Sequence, residues 1–85
     1  MPEKVEKKKK KIENEILKVN HRIAIQEFEM WILKEDKIVI ELKIILEKEQ
    51  EESKEIEVKT RRDIRSKLNK IFKNHEIKEN FIQLN

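Results

Sequence analysis

Glu41 and Lys43 stand two residues apart within KIVIELK. On a β-strand alternate side chains share a face, so both would project from one side. A carboxylate so placed can hold Mg²⁺ while the neighbouring ammonium orients an attacking water. Other catalytic chemistry is sparse. His21 and His75 are isolated, with no HxxxH spacing, and read as structural residues. Ser53 and Ser66 belong to no Ser/His/Asp arrangement. The chain has no Gly, which removes any Gly-rich phosphate loop, and no Cys, which removes disulfides and thiolate metal sites.

Charge offers a second kind of chemistry. Lys7, Lys8, Lys9, Lys10 and Lys11 form an unbroken basic run, and Arg61, Arg62, Arg65, Lys70 and Lys73 populate a later basic segment. Residues 27–57 between them hold eleven acids against five Lys. A chain basic towards both ends and acidic in its middle suits a polyanion partner, or self-association through unlike patches. Phosphate contact along nucleic acid, without sequence reading, is the leading expectation for both basic segments.

The elements that must position these residues centre on EFEMWILKEDKIVIELKIIL, residues 27–46. As a helix, 38–46 would be apolar all round, which so short a chain can hardly cover. As a strand, Ile38, Ile40, Leu42, Ile44 and Leu46 line one face, and β-branched residues dominate. An antiparallel hairpin pairing Leu33 with Val39 and Ile32 with Ile40 puts Phe28, Met30 and Ile32 on that same face. The opposite face then sets Trp31 beside Glu41 and Glu29 beside Lys43. Lys34–Lys37 makes the turn, with Asp36 its candidate for a left-handed conformation. Trp31, Leu33 and Val39 form an apolar spot suited to a dimer or partner contact.

Around this hairpin, residues 3–22 read as a helix with a stripe of Val5, Ile12, Ile16, Val19 and Ile23. Ile23–Gln26 reads as a short extra strand. The alternation in KEIEVK, residues 54–59, reads as a third strand. Thr60-Arg61-Arg62-Asp63 resembles a capping box opening a helix over Ile64, Leu68 and Ile71. Asn74-His75 breaks that helix, and a last short helix over 76–83 closes the core. The expected class is α+β: an N-terminal helix, a hairpin or three-stranded sheet, and C-terminal helices. An all-α helical hairpin or bundle is the alternative. Residues 1–85 form one small domain, with a Lys-rich segment over 1–11. At 46% charged residues the core is thin, so a homo-oligomer or protein partner is expected. No apolar run is long enough for a membrane span, and the charged start is unlike a signal peptide, so a cytoplasmic protein is expected.

Segment 31–43, WILKEDKIVIELK, resembles the hairpin of the PD-(D/E)XK nuclease superfamily, whose core strand carries an acid, any residue, then Lys. The resemblance implies a Mg²⁺-dependent nuclease with Glu41 and Lys43 as catalytic residues and Glu41 as a metal ligand. Trp31 stands where the family's metal-binding Asp is expected. Glu29, two residues earlier on the same face, is the carboxylate offered in its place. Without this chemistry no cofactor is expected. A third reading is a non-catalytic interaction or inhibitor protein that docks through Trp31 and the acidic middle.

Overall fold

A computed structural model describes residues 2–34, 37–49 and 51–85. Helix α1 (Pro2–Leu17) leads into strands β1 (Ile23–Ile32) and β2 (Ile38–Leu46), followed by helix α2 (Lys54–Asn74) and strand β3 (Glu79–Leu84). The strands form one mixed sheet in the order β1-β2-β3, with β1 antiparallel and β3 parallel to β2. The class is α+β, and the all-helical alternative is set aside. No helix among the described residues is long and apolar enough to cross a membrane.

Helix α1 stops earlier than the apolar stripe suggests. Lys18 and Val19 donate to carbonyls three residues back, Glu15 and Ile16, which tightens the last turn. The Asn20 side chain then accepts from the Arg22 amide at 2.9 Å and turns the chain into β1. Ile12 and Ile16 are fully buried and dock α1 on the sheet.

Ile23–Gln26 is not a separate strand but the start of β1. A bulge lies between Ile25 and Glu27, where the pairing shifts by one residue. The apolar set changes from Ile23 and Ile25 to Phe28 and Met30, odd to even. Gln26 absorbs that change, so all four reach the core face.

The hairpin register differs from the expected one by two residues. Ile32 pairs with Ile38, Met30 with Ile40 and Phe28 with Leu42. A two-residue slip leaves every side chain on its face, so hydrophobic pattern cannot detect it. Loop length decides it: the Leu33 amide donates to the Lys37 carbonyl at 2.7 Å, closing a shorter connection. Trp31 therefore faces Val39, and Glu29 faces Glu41 instead of Lys43. Lys43 finds Glu27 instead, Nζ to Oε2 at 3.2 Å. Asp36 lies outside the described residues.

KEIEVK is helical. Ser53 is the N-cap of α2, its hydroxyl accepting from the Ile56 amide at 3.1 Å, and Glu55 and Glu57 occupy the first turn. That cap and the favourable acidic first turn outweigh a two-residue alternation that buries nothing, since Ile56 and Val58 stay exposed. Thr60 is thus inside the helix rather than its cap.

At the other end of α2, Glu76 adopts φ 59°. Its amide donates to the Lys73 carbonyl at 3.0 Å, and the Ile77 amide to Phe72 at 2.9 Å. This is a Schellman stop, made without Gly. The chain leaves it extended, so 79–84 is a strand and not the expected short helix. Ile82 and Leu84 point inward, while Phe81 is outside at 58% exposure.

The core is one cluster. Ile12 and Ile16 from α1, and Ile64, Leu68 and Phe72 from α2, cover Phe28, Met30, Ile40, Leu42 and Ile44. Full burial of such a side chain contributes about 1.5–3 kcal/mol. Both helices lie on that one face, and the other face of the sheet is open.

Arg22 ties two loops beneath this arrangement. Its Nη1 and Nη2 donate to the Glu52 carboxylate at 2.8 and 3.2 Å, and its Nε donates to the Glu47 carbonyl at 2.7 Å. The bond to Glu52 raises the Arg22 pKa further, against the opposing effect of desolvation. The α1–β1 turn and the β2–α2 loop are thereby fixed to each other.

Candidate functional site

Helix α2 turns Ile64, Leu68 and Phe72 to the core, so residues half a turn away face outward. Lys59, Arg62, Lys70 and Lys73 fall on that outward side, with Ser66 and Asn69 between Arg62 and Lys70. From Lys59 to Lys73 the stripe runs about 21 Å. Arg65 is also exposed, on the flank of the stripe. Among the described residues, none of these five cations lies within 4 Å of a carboxylate.

Arg61 is different. Its Nε meets Glu57 at 3.3 Å and its Nη1 donates to the Leu84 carbonyl at 3.1 Å. It joins α2 to β3 and is a structural residue. Lys67 is engaged by Asp63 at 3.2 Å. Lys59, expected at the end of a strand over 54–59, lies inside α2 because the helix starts from the Ser53 cap.

The N-terminal run does not make a second stripe. At 100° per residue, Lys7–Lys11 wraps around α1. Lys7, Lys10 and Lys11 are exposed, whereas Lys8 and Lys9 are half-buried. Lys9 Nζ lies 5.8 Å from the Phe28 ring centroid, within cation–π range, and its stem shields the core edge. Glu6 and Glu13 border the shallow depression beside Lys7, Lys9 and Lys10.

The open sheet face has the opposite character. Glu27, Glu29 and Glu41 project there, with Glu79 on β3, and among the described residues Lys37 pairs with Glu79 and Lys43 with Glu27. Glu29 and Glu41 are direct cross-strand partners. Among the described residues no group of three His, Asp or Glu forms a metal-sized cluster. The two carboxylates and Lys43 do share a face, but Lys43 is turned towards Glu27. Of the apolar spot, Trp31 is 44% exposed and Leu33 52%, while Val39 is buried at 6% between its neighbours Trp31 and Glu79. Val39 therefore supports Trp31 rather than offering a contact of its own.

His75 caps the far end of α2, and its Nε2 lies 3.1 Å from both oxygens of Glu15 on α1. It has the structural role its isolation in the sequence implied. No family model, no curated protein and no solved structure matches this chain.

Proposed function

We propose that the protein binds nucleic acid through the outward face of α2, by contacts to phosphates that do not read sequence. The observation that carries this is the stripe of Lys59, Arg62, Lys70 and Lys73, exposed and without carboxylate partners among the described residues. Its length of about 21 Å allows several successive phosphates of one strand to be met. The acidic sheet face lies on the opposite side, so a polyanion approaches the helix layer and is repelled from the sheet. The exposed cations of α1, Lys7, Lys10 and Lys11, are on the same layer and add to the field.

The test is a fluorescence-polarisation titration of labelled DNA and RNA at several salt concentrations. Affinity falls steeply with salt, and log–log slope counts the phosphate contacts at about 0.9 each on duplex DNA. Replacing Arg62, Lys70 and Lys73 by Ala weakens binding to every sequence alike and flattens that slope by about 2–3. Unaltered affinity in the triple variant would remove α2 as the binding element.

A further inference from the structure

Strand β3 carries one charged residue, Glu79 at its start, and none after it. Residues 80–85, NFIQLN, are the longest run without a charged residue in a chain that is 46% charged. Exposed edge strands present unpaired amides and carbonyls, and proteins commonly guard them with Lys, Pro or bulges. The other edge, β1, has its bulge at Gln26 and its acids Glu27 and Glu29. Edge β3 has no bulge in its pairing with β2, and its one acid, Glu79, stands at the start of the strand.

The groups it presents follow from its pairing. The Asn85 amide donates to Ile44 and its carbonyl accepts from Leu46, each at 2.9 Å, so Asn85 turns both groups to β2. By strand alternation Phe81 and Gln83 do the same, while at the start of the strand the Lys78 amide donates to the Ile38 carbonyl at 3.0 Å, and Asn80, Ile82 and Leu84 turn their groups to the free edge. The Leu84 carbonyl is already taken by Arg61. Complete amide–carbonyl pairs remain at Asn80 and Ile82.

We propose that β3 pairs antiparallel with β3 of a second copy, making a two-fold dimer with one continuous six-stranded sheet. One register uses only the groups that are free: Asn80 exchanges both bonds with Ile82 of the second copy, and Ile82 with Asn80. Phe81 then faces Phe81 across the axis in the closely spaced non-hydrogen-bonded position. Glu79 comes opposite Gln83, so no like charges meet. Phe81, 58% exposed in the single chain, gains an aromatic partner, and the half-buried Ile82 and Leu84 gain cover. A two-fold axis normal to the sheet keeps both α2 helices on the same side. This inference does not depend on the nucleic-acid reading, and its test contains no nucleic acid.

The experiment is sedimentation equilibrium of the full chain over a concentration series, with Phe81→Lys, Phe81→Glu and their mixture. The wild type shows a concentration-dependent dimer. Either variant alone, with like charges apposed, raises the dissociation constant about tenfold or more, and mixing the two restores association. Because Phe81 is on the open face, both variants keep the wild-type circular dichroism. Hydrogen exchange on the wild type adds protection at the Asn80 and Ile82 amides on dimerisation. A monomer at every concentration overturns the proposal. So does a dimer that gains no protection at Asn80 and Ile82, or one that survives Phe81→Lys and is lost in Trp31→Lys.

Discussion

Glu76 shows what a chain without Gly must do at the end of a helix. A left-handed residue other than Gly costs roughly 1–2 kcal/mol, and Gly itself returns part of that gain as lost chain entropy. Glu76 at φ 59° is therefore a position where Gly improves the fold. Glu76→Gly is expected to raise unfolding free energy by about 0.5–1 kcal/mol, measured by urea denaturation. A drop in stability would mean that the Glu76 side chain contributes more than its backbone costs. The same absence explains why the sequence hid this stop: the break at Asn74-His75 was legible, but not the left-handed turn that sends the chain out extended. Arg22 was equally hidden. Its partners Glu47 and Glu52 lie 25 and 30 residues away, and nothing in the local pattern marks one Arg among many cations for burial.

Among the elements, the hairpin faces were readable because period two fixes which residues turn inward. Its register was not, because shifts of two residues preserve that pattern, and only the Leu33–Lys37 closure selects the pairs. Helix α2 was half readable. Ile64, Leu68 and Ile71 gave its stripe, while the alternation of Ile56 and Val58 masked its first two turns. Strand β3 was lost because Ile77, Phe81 and Leu84 fit a helical spacing as well as Ile82 and Leu84 fit a strand. The bulge at Gln26 yields the clearest test at this scale. Deleting Gln26 keeps both flanking segments but removes the phase change, forcing Ile23 and Ile25 off the core face or Phe28 and Met30 away from it. Large side chains lose their burial either way, at about 1.5–3 kcal/mol for each that is fully buried, so Tm should fall far more than in Gln26→Ala. Equal melting of the two variants would mean that the bulge is incidental.

At the scale of the whole molecule, the fold sorts a chain with mixed charge into two unlike sides: a helix layer with the α2 stripe, and a sheet face with Glu27, Glu29, Glu41 and Glu79. The basic segments were visible in the sequence, but their sorting was not, because it depends on both helices covering the same face. Arg61 and Lys9, which look like their neighbours in the sequence, are assigned to structure by that packing. The crossover from β2 through α2 to β3 has a temporal consequence. Val39 pairs with Glu79 forty positions along the chain, whereas Ile32 meets Ile38 across a short turn. Non-local closures come late in folding because their entropy must be lost before their contacts form. In pulse-labelled refolding, the Glu41 amide should be protected before that of Phe81, and simultaneous protection would point to a single concerted step. The last strand to arrive is the one whose outer edge is proposed to pair, so a dimer formed through β3 would have to wait for the slowest event in each copy.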